Sequence, residues 1–179
     1  MAGQWGPRRG RRWGVARRLD SLDKTLIGLL GEDGRLSLAD LAQRAGVSRP
    51  TVASRLRALA GDGILRVAGL VDAFQARGLT TALVGLTVDK HRLDEKVEQI
   101  AAVPEVTWAA VVAGRYDIMA EIATEEGMNG LYDFLNVSLR EVGGINSSEM
   151  FVVMKARNRW TLLPTSMRRA WADRPPNGD

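Results

Sequence analysis

The chain has 179 residues, 45% of them apolar and 26% charged, with a formal net charge of +4; that mixture is ordinary for folded protein and excludes disorder throughout. Zero cysteines exclude disulfides, thiolate catalysis and cysteine-ligated zinc, and one histidine makes a self-contained histidine site unexpected, so no metal and no cofactor is expected. No apolar run approaches the roughly 20 residues of a membrane helix, and the basic start lacks the apolar core of a secretory or twin-arginine signal, so a cytoplasmic protein without membrane contact is expected.

The excess positive charge is local. Residues 1–18 carry six arginines and no acid, residues 19–72 carry seven charges of each sign, and residues 73–164 are net acidic. The first 18 residues lack apolar periodicity, which predicts a mobile basic arm able to touch phosphates. From Leu22 the spacing Leu22, Leu26, Leu29, Leu30 predicts a helix closed by Gly31 and Gly34. Ser37 with Asp40 predicts a capping box on a second helix that stops at Gly46. Ser48 caps a third, with Pro50 in its first turn and Val52, Leu56 and Leu59 on one stripe. Residues 64–67 and 70–72 read as two short strands, a wing that completes a winged helix-turn-helix domain over 19–72.

A linker over 73–79 leads to a segment of different period. Thr80–Val88 reads as a strand, Leu93–Ala102 as a helix, Val106–Ala113 and Ile118–Ala123 as strands joined by a loop at 114–117, Met128–Val142 as a helix and Met150–Lys155 as a closing strand. The order β-α-β-β-α-β predicts an α+β, ferredoxin-like domain over 80–160, followed by a tail over 161–179. Residues Trp108, Ala110 and Val112 alternate with Ala109, Val111 and Ala113, so both faces of that strand are apolar. One face is left without a helix to cover it, which predicts a homodimer packed through Trp108, Ala110 and Val112.

The third helix carries the sharpest chemistry. Its outward face is small apart from arginine, and no acid lies between Asp40 and Asp62. Such a helix fits the major groove of duplex DNA, with Arg49, Arg55 and Arg57 reaching guanine edges or phosphates and Ser48, Thr51 and Ser54 donating to phosphates. A three-helix protein-interaction module with a solvated basic face is the alternative.

These residues resemble the Lrp/AsnC family, the leucine-responsive and asparagine-regulator proteins. The resemblance is carried by Leu19-Asp20-Ser21-Leu22-Asp23, by Gly34-Arg35-Leu36-Ser37 through Leu41-Ala42, by Gly46-Val47-Ser48, by Arg55, Leu59, Gly63 and Ile64, and by Gly114-Arg115-Tyr116-Asp117. It covers about residues 19–160. It implies a transcription factor whose helix-turn-helix binds double-stranded DNA and whose second domain dimerises, assembles further and senses amino acids. The chain departs from the family pattern at Ala60-Gly61-Asp62, where an early end of the recognition helix is expected, and at Met150, where the family usually has threonine.

The loop at 114–117 has its own logic: Gly114 permits positive φ or close approach, and Asp117 can accept from an ammonium group. Gly114, Tyr116, Asp117, Ser147 and Ser148 are the expected effector contacts, the ligand an amino acid more apolar than charged. A tight hairpin in which Asp117 caps backbone is the alternative. The lone His91 is expected on a surface loop. It bears on a second reading, a non-DNA-binding enzyme of the siroheme decarboxylase type, which resembles the same two-domain architecture.

Overall fold

Three helices form where the sequence supplies their caps. The computed structural model describes residues 17–76 and 78–173, so the basic arm before Arg17 lies outside the described residues. Helix α1 spans Ser21–Glu32 behind Asp20, whose carboxylate accepts from the Asp23 N–H while Asp23 accepts from the Asp20 N–H. Helix α2 spans Leu38–Ala45 behind the same reciprocal box of Ser37 and Asp40. Helix α3 spans Arg49–Gly61, capped by Ser48. Between α2 and α3, Gly46 adopts φ 67°, a left-handed conformation that a side chain would strain, and the Val47 N–H returns to the Ala42 carbonyl at 3.1 Å.

Leu26, Leu41, Val52 and Leu59 are buried to 1% exposure or less, each worth about 1.5–3 kcal/mol. Leu22, Leu30, Val47 and Leu56 pack around the cluster of Leu26, Leu41 and Val52. Helix α3 does not end early. It continues through Gly61, and the Asp62 N–H bonds the Ala58 carbonyl at 2.8 Å.

The expected wing is not formed among the described residues. Residues 64–70 make no strand, and Ile64, Val67 and Leu70 remain exposed, because an isolated two-stranded ribbon with no apolar face to cover is marginal. Val71 instead exchanges two backbone hydrogen bonds with Thr161, both 2.9 Å. The division into two compact units accordingly falls between Gly69 and Leu70.

The second unit runs β1 (Thr80–Val88), α4 (Leu93–Ala101), β2 (Val106–Val111), β3 (Ile118–Thr124), α5 (Gly127–Asp133), a wider π turn (Phe134–Ser138), α6 (Leu139–Val142) and β4 (Ile145–Val152). The strands lie in the order β2-β3-β1-β4 with every neighbouring pair antiparallel, the expected ferredoxin-like sheet. Alternation decides the faces. Ala82, Val84, Leu86, Ile118, Ala120 and Ile122 form the inner face and pack with Ile100, Leu131 and Phe134 from the helices. The opposite, outer face carries Leu83, Gly85, Met119 and Phe151.

Strand β4 begins five residues before the expected Met150. The positive φ of Gly143 and Gly144 stops the helix, and the polar run after Ile145 pairs with the end of β1, where Thr87 and Ser147 share a hydroxyl bond of 2.7 Å. The expected tail also has structure. Residues Thr165–Asp173 form helix α7, Leu163 and Met167 are buried, Ser166 donates to the Pro104 carbonyl at 2.8 Å, and the Trp171 indole donates to Glu125 at 3.0 Å.

Candidate functional site

Helix α3 exposes Ser48, Arg49, Thr51, Ser54 and Arg57, with Ala53 and Ala58 between them half-buried. The Ser48 hydroxyl is already used as the N-cap, accepting from the Thr51 N–H and sharing a 2.7 Å bond with the Thr51 hydroxyl. Among the described residues neither Arg49 nor Arg57 pairs with a carboxylate within 4.0 Å. Two unpaired guanidiniums therefore stand on an acid-free surface whose neighbouring side chains are small enough for close approach. Ser37 holds the Asp40 carboxyl below its ordinary value, through the hydroxyl first and the backbone N–H second.

Arg55 has a different position. Its Nη1 lies 2.6 Å from an Asp20 oxygen and 3.3 Å from an Asp23 oxygen, and Asp23 is 1% exposed. Arg17 closes the network from the other side, 3.0 Å from Asp23 and 3.0 Å from Asp62 at the end of α3. Arg55, expected to contact DNA, is engaged here in a clamp between α1 and α3. The sequence contained the signal in Asp20 and Asp23, one helical turn apart, but periodicity does not say which helix they face.

In the second unit the loop before β3 brings together part of the expected set. Gly114 adopts φ 155°. The Tyr116 ring lies directly over Gly85 of β1, where a β-carbon would stand 2.6 Å from its ring carbons. Its hydroxyl donates to Glu149, and its ring meets Phe151 edge-on with centroids 6.4 Å apart. The bond to Glu149, then burial, raise the tyrosine's pKa.

Asp117 does not face this assembly with both oxygens. One of them accepts from the Val88 N–H at 3.0 Å, and the Asp117 backbone bonds Leu86 and Val112, so the side chain closes the strand end across to β1. Ser147 stands opposite Thr87 on the outer face, whereas Ser148 stands opposite Leu86 and points to the other face. Glu149, opposite Gly85, was not among the expected contacts, and neither was Arg115, which pairs with it at 3.2 Å.

The expected dimer stripe lies where alternation put it. Trp108 is 43% exposed and stands opposite Glu121, Ala110 stands opposite Met119, and Val112 lies half-buried just past β2. Glu121 is 5% exposed yet fully engaged: Trp108 donates to it at 2.8 Å, Thr161 at 3.0 Å, and Arg159 pairs with it at 2.6 Å. His91 is exposed on a single 3-10 turn, as expected.

The two units have counterparts in known proteins. The family model described as the AsnC-type helix-turn-helix domain matches residues 19–60, and that of the Lrp/AsnC ligand binding domain matches residues 81–161. A helix-turn-helix-type transcriptional regulator of Pyrococcus furiosus is 31% identical over 143 residues, covering 79% of this chain and 95% of its own. The chain belongs to the Lrp/AsnC family. It is accordingly a transcriptional regulator built on a DNA-binding helix-turn-helix. The Mycobacterium tuberculosis leucine response regulatory protein has the same fold, with a TM-score of 0.68 and 26% identity over 77% of this chain and 94% of that one. A Neisseria meningitidis transcriptional regulator solved with L-Met shares the fold at a TM-score of 0.63 and 23% identity, covering 84% of this chain and 99% of that one. Helix α7 of this Lrp/AsnC chain lies beyond both matched segments.

Proposed function

We propose that this regulator reads duplex DNA through the exposed face of α3, acts by binding rather than by catalysis, and responds to an amino acid or related small metabolite held in the ferredoxin-like unit. The observation that carries the DNA reading is the pair of unpartnered arginines, Arg49 and Arg57, on an acid-free helix held by caps and a buried clamp. The effector reading rests on the outer-face assembly around Tyr116, on the match to a ligand binding domain, and on the L-Met bound by the Neisseria relative. Enrichment of one sequence from a random duplex pool, with affinity shifted several-fold by an amino acid at millimolar concentration, is the expected result. A pool returned without an enriched sequence overturns it.

The regulator acts as a homodimer or larger, joined through the outer sheet face around Trp108, Ala110 and Val112. Trp108→Glu should lower the oligomer state in sedimentation, because it sets a second carboxylate beside Glu121 in an apolar contact. Trp108→Phe, which keeps the apolar area, should leave assembly intact. An unchanged oligomer in Trp108→Glu places the interface elsewhere.

The arm contributes phosphate neutralisation. Removing residues 1–16, which leaves Arg17 in its clamp, takes away four arginines whose charge attracts any phosphate alike, and should weaken binding to random DNA more than it weakens discrimination between selected and random duplexes. The log–log salt slope should flatten by about 0.9 for each phosphate that is no longer neutralised. Equal affinity and equal slope with and without the arm show it to be idle.

A further inference from the structure

We propose that the cluster Arg8-Arg9-Gly10-Arg11-Arg12 enters the minor groove beside the stretch of duplex that α3 reads, and that it favours A·T-rich DNA there. This rests on the DNA reading above and adds a place and a preference to the arm's charge. Arg17 is where the chain joins the three-helix unit. Its guanidinium lies 3.0 Å from Asp23 of α1 and 3.0 Å from Asp62 at the end of α3, so its charge is matched inside the protein and its position is tied to the reading helix. Ahead of it Trp13-Gly14-Val15-Ala16 carries no charge, and ahead of that four arginines stand around one glycine. Neutralising phosphates alone would need no such spacer, because phosphates line the duplex from the edge of the protein onward.

The reach of the chain fits this placement. At about 3.3 Å per extended residue, Arg12 can stand up to about 17 Å from Arg17 and Arg8 up to about 30 Å. A helical turn of duplex is about 34 Å, so the minor groove next to a filled major groove lies about 17 Å along the axis. The uncharged spacer spans the ridge between the grooves, and the cluster falls in the second. Gly10 has no β-carbon, so the backbone can lie against the floor of a groove only about 6 Å wide. The guanidiniums on either side are less strongly hydrated than an ammonium and enter where the groove is narrowest and most negative, over A·T runs. That groove is read for its width and barely for sequence, so discrimination between core sequences stays with α3.

The experiment measures binding of the full chain, at one fixed salt concentration, to the selected duplex carried between A·T runs or between G·C runs of equal length. The A·T-flanked duplex should bind several-fold tighter. Removing residues 1–16 should level the two duplexes. The combined variant Arg8→Lys, Arg9→Lys, Arg11→Lys, Arg12→Lys, which keeps every charge, should level them too, while holding the G·C-flanked duplex as tightly as the wild type does. Equal wild-type affinity for both duplexes, or a preference that survives in either variant, overturns the groove placement and leaves the reading by α3 standing. A pool that yields no selected sequence overturns the reading by α3 and the groove placement with it.

Discussion

Replacing Arg57 by alanine should weaken binding to the selected duplex by about 1–3 kcal/mol if the guanidinium forks onto a guanine, and should relax sequence preference at that position. If it meets a phosphate instead, the loss is uniform across sequences and the salt slope flattens by about one unit. Arg57 is the sharper probe because it is exposed and pairs with no carboxylate among the described residues, so its removal leaves no orphaned partner inside the protein. Arg49→Ala should behave in the same way about two turns earlier on α3. Unchanged affinity in both variants at one fixed salt concentration rejects α3 as the reading element. Arg55→Ala should also lower affinity, but by a different route: it should lower the melting temperature of the first unit as well, a shift that Arg57→Ala should not produce.

The second large effect is expected at Asp23. Its carboxylate is 1% exposed, accepts from Arg17 and Arg55, and closes the cap of α1. Asp23→Ala removes the shared partner of two arginines at once. The two guanidiniums left behind are about a third exposed and keep Asp62 and Asp20 as partners, so the loss is about 1–3 kcal/mol rather than that of an isolated buried charge. That is a large share of the stability of a helical unit of this size, so the first unit should melt several degrees lower and DNA binding should weaken with it. The sheet unit, which has its own core, should still melt cooperatively at its own temperature. A differential scan in which Asp23→Ala melts as the wild type does would show that the clamp contributes nothing.

What could be read from the sequence followed from local signals. Ser37 with Asp40 and Ser48 with Pro50 located α2 and α3 because a cap satisfies orphan amide groups within three residues of itself, and the apolar alternation around Trp108 located β2. Strand β4 escaped because its first half, Asn146-Ser147-Ser148-Glu149, has no strand-like composition; it is a strand because the end of β1 offers it partners. The wing failed for the converse reason, since Ile64–Val67 has strand-like residues and nothing to pair with. The partners of Arg55, and Glu149 altogether, escaped because a charged side chain's partner is set by tertiary placement, 35 residues away for Asp20 and 33 for Tyr116. Helix α7 was hidden by a polar, arginine-containing stretch whose buried contacts are few: Leu163 and Met167.

The pairing of Val71 with Thr161 sets how the second unit carries mechanical load. The chain enters this unit at Leu70 and, some 90 residues after Val71, runs back alongside its own entrance, the two segments antiparallel and joined by a pair of 2.9 Å bonds. A pull on the connector at residues 62–70 therefore reaches those two bonds before any strand of the sheet. Beyond them the tension passes through Thr161 and Arg159 to Glu121 in the middle of β3, and from there to the indole of Trp108 on the outer face. A tug on the connector is delivered to the outer face of the sheet, at Trp108.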